Sequence, residues 1–217
     1  MRDIAIAGAP VRAVRITYVG ELGWELYVPV EFAAHVYDAV EAAGVEFGLV
    51  DAGYYALDSL RMEKAYRAWG RELTTEDTPL EAGLGFAVAW DKPGGFLGRE
   101  ALLRQRDRPL AKRLVTFVLD DPEALPLGDE AIFHEGHLAG SVTSAAYGHT
   151  LGRAVAMGYL RLPEGASGGI DARFVEDAKF ELEIAGDRFT ARGSMRALRP
   201  AGAAGEVLEE PRWSPIS

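Results

Sequence analysis

The chain has 217 residues, 48% of them hydrophobic and 26% charged, which excludes a wholly disordered chain and a fibrous repeat and leaves room for one large or two small domains. A formal net charge of −10 repels phosphate backbones and argues against a nucleic-acid partner held by bulk charge. There is no cysteine, so disulfides, thiolate nucleophiles and Cys-ligated metals are excluded; no apolar run reaches the roughly 18 residues of a membrane span and Met1-Arg2-Asp3-Ile4 opens no signal peptide, so a cytoplasmic protein without a membrane partner is expected.

The first half alternates strand and helix signatures. Val11 to Val19 has a period of two, with Val14, Ile16 and Tyr18 on one face and Ala13, Arg15 and Thr17 on the other, the mark of a half-buried strand. Trp24 to Val28 repeats that alternation with Glu25 and Tyr27 on one side, and Gly20-Glu21-Leu22-Gly23 between the two runs carries the glycines of a tight hairpin. Residues 31–43 have helical spacing that stops at Gly44, and a second helix is expected from an Asp51 cap to Met62 or Glu63. Gly83 to Trp90 reads as a strand and Gly98 to Gln105 as a short helix. A polar linker with Pro109 follows at residues 105–112.

Beyond it come short β-rich runs: Arg113–Leu119, Ala131–Phe133, His137–Ala145, Ala154–Leu160, Ala172–Val175, Phe180–Ile184 and Arg188–Arg192. Turn residues such as Glu135-Gly136 and Gly186-Asp187 separate them, the pattern of a barrel or sandwich. The expected class is α+β: an incomplete α+β domain over 1–106, an all-β C-terminal barrel over 107–200, and an irregular tail over 201–217.

Four residues stand out as candidates for ligand binding. Glu25 either accepts N–H donors from a planar heterocycle or lies on the solvated face; Tyr18 either stacks on such a ring or belongs to the core. Arg61 ends an apolar helical stripe of Val50, Tyr54 and Leu57. A buried guanidinium needs a partner, which is either Asp58 one turn back or a ligand. Trp69 sits in a basic, aromatic stretch with Lys64, Tyr66, Arg67 and Arg71, either a receptor for an anionic tail or a loop packed on the domain. The four histidines form no metal pattern, and no phosphate loop, nucleophile elbow or dinucleotide fingerprint is present.

Several segments carry a resemblance. Thr17-Tyr18-Val19-Gly20-Glu21-Leu22-Gly23-Trp24-Glu25 resembles the folate-binding hairpin of the glycine-cleavage T-protein (aminomethyltransferase) family. Leu60-Arg61-Met62-Glu63 with Trp69-Gly70, then the stretch from Thr78 to Phe86 and Gly95 to Leu102, resemble its following blocks, and Gly140 to Ser144 with Val155 to Tyr159 resemble its C-terminal barrel. The wording around Tyr18 looks most like the folate-binding half of dimethylglycine and sarcosine dehydrogenases.

The resemblance implies a tetrahydrofolate site with Glu25 at the pterin edge and Tyr18, Arg61 and Trp69 nearby. It also implies transfer of a one-carbon unit to give 5,10-methylenetetrahydrofolate. The family's catalytic aspartate lies upstream of the hairpin, in a region that Met1 to Pro10 do not match, and no FAD fingerprint occurs. The expectation is therefore a folate-binding module with no catalytic residue of its own, inactive alone and working with a flavoprotein dehydrogenase portion or subunit. The alternative is a non-catalytic assembly subunit with the same fold that binds no folate.

Overall fold

The computed structural model describes residues 1–198; the expected tail over 201–217 lies outside them. The chain opens on a hairpin of β1 (Arg2–Ile6) and β2 (Ala9–Val14), and β3 (Glu25–Tyr27) lines up on the far side of β2 to complete a three-stranded antiparallel sheet. The first strand expected from Val11 thus starts earlier and ends earlier. The tight reversal is Ala7-Gly8, both at positive φ, rather than the segment from Gly20 to Gly23. Ala9, Val11 and Ala13 are the buried face of β2, opposite in phase to the expected Val14, Ile16 and Tyr18. Small side chains let α1 (Ala33–Gly44) lie close, with Val36 against Ala9 and Val11.

Gly44 does not end α1 in a left-handed turn. It stays right-handed, Leu49 fills the space where its Cβ would be, and the left-handed glycine is Gly48 at φ 70°. The second helix, α2 (Tyr54–Glu63), starts after Gly53; Asp51 does not cap it and instead accepts a 2.7 Å hydrogen bond from the Tyr37 hydroxyl. The expected strand over Gly83 to Trp90 is a series of turns with a 3-10 turn at Gly85–Ala87, where the Trp90 indole N–H donates to the Gly85 carbonyl at 3.0 Å. Next comes α3 (Arg99–Arg106), where a short helix was expected.

The remaining strands are β4 (Lys112–Leu119), β5 (Ala131–His134), β6 (His137–Gly148), β7 (Arg153–Arg161), β8 (Phe180–Ile184) and β9 (Asp187–Ser194). All pair antiparallel and close into a barrel in the order β4-β7-β6-β5-β8-β9, so the barrel itself has no open edge. The expected run Ala172–Val175 is helical instead: α4 (Ala172–Asp177) is capped by Asp171, whose carboxylate accepts the Phe174 N–H. Phe117, Leu119, Ile132, Leu160, Phe180 and Leu182 fill the interior, with Phe117 edge-on to Phe180.

One stretch of barrel is buried on both faces. Residues 154–160 of β7 are buried without interruption, because Met62 and Ala65 cover Val155, Met157 and Tyr159 from outside. Burying a Met side chain stabilises by about 1.5–3 kcal/mol, so this contact contributes to holding α2 against the barrel. Ser59 and Glu63 add polar ties from the same helix: the Ser59 hydroxyl donates to the Tyr147 carbonyl at 2.6 Å, and Glu63 accepts the N–H groups of Thr150 and Leu151.

A second tie sits at the start of β4. Lys112 pairs with Asp77, whose carboxylate also accepts the backbone N–H and hydroxyl of Thr74, and its ammonium lies 4.4 Å from the centre of the Tyr159 ring. Burial works to raise the Asp77 pKa, but the hydrogen bonds from Lys112 and Thr74 outweigh it and hold the carboxyl below its ordinary value. A depressed folded-state pKa contributes stability that is present above the unfolded value of about 3.9 and is lost as pH falls through the folded value. Urea midpoints measured from pH 7 to pH 3 should therefore decline in the wild type as Asp77 protonates. Asp77→Asn should start lower at pH 7 and show a shallower acid limb; parallel limbs would remove Asp77 from the account.

Candidate functional site

Residues 15–24 leave β2 and return opposite it, Val14 facing Glu25 across the ladder. The Thr17 hydroxyl accepts the Val19 N–H at 3.2 Å, a local turn that lets Tyr18 point inward. Its ring lies 6.0 Å from Tyr66 with 22° between the planes, and its hydroxyl donates to the Arg67 carbonyl at 2.8 Å. Burial pushes the Tyr18 phenol above its ordinary pKa, so it remains a donor at neutral pH. Gly20, at φ 79°, passes so close to Lys64 that a Cβ would fall 2.5 Å from its side chain, and Glu21 reaches the Lys64 ammonium at 3.5 Å. The loop is thereby fastened to the end of α2.

Beneath that contact lies a buried ion pair. Arg61 donates from Nε to Asp58 at 3.0 Å, from Nη1 to the Tyr66 carbonyl at 3.0 Å and Glu72 at 2.9 Å, and from Nη2 to the Ser144 hydroxyl at 3.0 Å. The Glu72 side chain is fully buried; it also accepts the Ala68 N–H and the Thr143 hydroxyl, both at 2.8 Å. Arg61 thus has the Asp58 partner and three further ones, and by gripping the Tyr66 carbonyl it holds the backbone under the Tyr18–Tyr66 stack. Sequence reasoning missed Glu72, Thr143 and Ser144. Glu72 follows Arg71 in the chain, which reads as a surface charge pair, and the β6 hydroxyls lie some 80 residues from Arg61 in sequence.

Glu25 and Trp69 are placed differently. Glu25 is exposed, on the sheet face that also carries Tyr27, Arg12 and Asp3. The Tyr27 hydroxyl donates to Glu25 Oε2 at 2.6 Å, which raises the Tyr27 pKa. Trp69 is 74% exposed, held at the backbone by a bridge to Leu73 and by the Gly70 N–H to the Leu73 carbonyl. The structure thus brings Tyr18 and Arg61 to one turn through Tyr66, and leaves Glu25 and Trp69 facing outward. A hollow of about 980 Å³ lies elsewhere, along residues 92–104 beside α3. No group of His, Asp and Glu among the described residues could hold a metal ion.

These features define a two-module architecture: an α+β unit whose second helix is pinned by buried charge and apolar contact to a closed six-stranded barrel. Comparison with known proteins gives this class its family. Residues 1–92 match the GCVT N-terminal domain and residues 112–198 the glycine cleavage T-protein C-terminal barrel domain. The chain belongs to the glycine-cleavage T-protein family.

Among its relatives, human mitochondrial sarcosine dehydrogenase is 43% identical over 191 residues, covering 88% of this chain and 20% of that protein. The mouse mitochondrial pyruvate dehydrogenase phosphatase regulatory subunit is 41% identical over 192 residues, covering 85% and 22%. The chain thus spans about a fifth of the length of these relatives. The crystal structure of the glycine cleavage system aminomethyltransferase T from Bartonella henselae superposes with a TM-score of 0.71 at 24% identity, over 84% of this chain and 47% of that one, and shows the shared fold.

Proposed function

We propose that this chain is the tetrahydrofolate-binding module of an aminomethyltransferase-like or sarcosine or dimethylglycine dehydrogenase-like protein. In this reading it presents folate to a one-carbon unit, giving 5,10-methylenetetrahydrofolate, and is inactive alone because the donor-side groups come from a flavoprotein dehydrogenase portion or subunit. The observation that carries the reading is the meeting of Tyr18 and Arg61 at Tyr66, within the residues 1–92 that match the family's N-terminal domain. Glu25 lies exposed on the sheet face with one oxygen held by the Tyr27 phenol, and its remaining acceptor capacity is assigned in this reading to the N–H edge of a flat heterocycle. Tyr18 and Tyr66 supply an aromatic wall, braced from below by Arg61. Trp69, exposed in the same stretch as Lys64, is assigned to the more remote anionic part of the ligand. Bound folate supplies the nitrogens that accept the carbon; the residues here hold and orient it.

Titration calorimetry of the full chain with tetrahydrofolate tests this. A hydrogen bond to a charged group contributes about 1.5–3 kcal/mol, so Glu25→Ala should weaken binding by about tenfold to a hundredfold. Equal affinity in wild type and variant would remove Glu25 from the site. No heat with either protein would favour the assembly subunit that binds no folate.

A further inference from the structure

Three successive carbonyls beside the Tyr18–Tyr66 contact are each held by a side chain. The Ala65 carbonyl accepts from Arg67 Nη1 at 2.7 Å, the Tyr66 carbonyl from Arg61 Nη1 at 3.0 Å, and the Arg67 carbonyl from the Tyr18 hydroxyl at 2.8 Å. Arg67 therefore acts twice: its guanidinium fastens the turn, and its backbone receives the phenol. The turn needs fastening, because Ala65 sits at φ 53°, a left-handed conformation that a residue with a Cβ adopts at a cost. That reversal carries the chain off the end of α2, with the Ala65 N–H on the Met62 carbonyl and the Tyr66 N–H on the Arg61 carbonyl, both at 3.0 Å.

Arg67 ties this turn to a second segment. Its Nε donates to the carbonyl of the fully buried Ala82 at 3.0 Å, and a Cβ on the next residue, Gly83, would fall 2.9 Å from Nη2, so glycine leaves room for the guanidinium. A planar guanidinium spans two fixed carbonyls at once, which a lysine ammonium does not reproduce. Burial, and to a lesser degree the nearby charge of Arg113, lower the Arg67 pKa, yet an arginine stays charged at neutral pH and both bonds are charge-assisted. Arg113, in contrast, has a buried Nε with no hydrogen-bond partner. We propose that Arg67 is a positioning residue of the tetrahydrofolate site, fixing the turn that sets Tyr66 against Tyr18 while touching no ligand itself. Its effect on binding rests on the folate reading above; its effect on Tyr18 does not.

The test compares the full chain with Arg67→Gln, Arg67→Lys and the control Arg113→Gln. Titration calorimetry with tetrahydrofolate should show both Arg67 variants weakened about tenfold and Arg113→Gln within about twofold of wild type. Carbon-13 NMR of ζ-labelled tyrosine follows Tyr18 without folate, its resonance identified by its loss in Tyr18→Phe. Burial holds the wild-type phenol above the ordinary value of about 10, and in Arg67→Gln its titration should fall back toward that value. Loss of a cation alone would raise a phenol's pKa, so the sign separates position from charge. Arg67→Lys, which keeps the charge and most of the length, carries both readouts if Arg67→Gln does not fold. Wild-type affinity in Arg67→Lys overturns the proposal, since charge would then suffice. So does an equal loss in Arg113→Gln, the mark of bulk attraction for an anionic ligand, and so does a Tyr18 titration that stays or rises when Arg67 is replaced. No heat with the wild-type chain counts against the folate reading instead, and the Tyr18 titration then decides the role of Arg67 by itself.

Discussion

Glu72→Ala is expected to destabilise the chain by about 3–5 kcal/mol, the cost of removing one partner of a buried ion pair and leaving the other uncompensated. The alanine would strip Arg61 of its buried counter-charge and leave the Ala68 N–H and the Thr143 hydroxyl without the carboxylate they donate to. Against a total stability of about 5–15 kcal/mol for a domain, that is a large fraction. Asp58→Ala touches the same guanidinium from a half-exposed position and should cost less than about 1 kcal/mol. Replacing the pair together, Arg61→Met with Glu72→Leu, should cost less than Glu72→Ala alone, because no charge is then stranded. Urea denaturation of the three variants decides it. A Glu72→Ala loss within about 1 kcal/mol of wild type would show that the pair does not clamp the two modules.

That clamp bears on function through Tyr66. Arg61 holds the Tyr66 carbonyl while Tyr66 carries Tyr18 on its ring, and the Arg61–Glu72 pair is in turn bonded to the Ser144 and Thr143 hydroxyls of β6, so the aromatic wall of the proposed folate site rests on an ion pair braced by the barrel. A folate-binding loss in Glu72→Ala alongside an intact fold would show that this ion pair supports the aromatic wall.

The barrel was legible because its strands are β-rich and separated by turn residues, even though β4 and β7 are buried in continuous runs rather than alternately. Even there, residues 172–175 read as strand through Phe174 and Val175, while the Asp171 cap starts a helix over Ala172–Asp177. The N-terminal sheet was harder. Its core face consists of Ala9, Val11 and Ala13, too small to mark a hydrophobic side, whereas Ile16 and Trp24, which do mark one, sit exposed in the loop. The period of two over 11–19 therefore carried past the true strand end at Val14.

At the candidate site Asp58 was readable as one partner of Arg61 from its spacing, but the stripe expected to carry Arg61 inward is not the buried face: Val50 lies before α2 and Tyr54 is 84% exposed, and Arg61 is buried beside Ser59, Met62 and Glu63 instead. Glu72 was not readable, because a carboxylate reveals its burial only through contacts made across the fold. What the family wording around Tyr18 and Glu25 implied about a ligand goes beyond what alternation could give: the same period of two describes a ligand wall and a solvated sheet face.

The second large effect concerns the strand that delivers Thr143 and Ser144 to the clamp. Gly140 lies in β6 opposite Leu160 of β7, where a Cβ would fall 1.9 Å from the Tyr159 carbonyl oxygen and 2.9 Å from its carbon. Both neighbours are backbone, which cannot swing aside as a side chain can. Ladder irregularities flank it, at Ile132/Phe133 on the β5 side and Val142/Ser144 on the β7 side, so β6 already departs from regular pairing to bring its hydroxyls toward Arg61. Overpacking that side chains can absorb costs about 1–3 kcal/mol. Gly140→Ala should reach or exceed the top of that range, separating β6 from β7 and withdrawing Ser144 from Arg61. Gly136→Ala is the control: its position in the β5–β6 turn has φ 78° with nothing within 4 Å of a Cβ, so only the left-handed backbone penalty of about 1–2 kcal/mol applies. Thermal and urea denaturation should rank Gly140→Ala far below Gly136→Ala, and amide exchange should show protection lost first along β6 and β7. Equal losses in the two variants would mean that the β6–β7 approach is looser than the backbone contact requires.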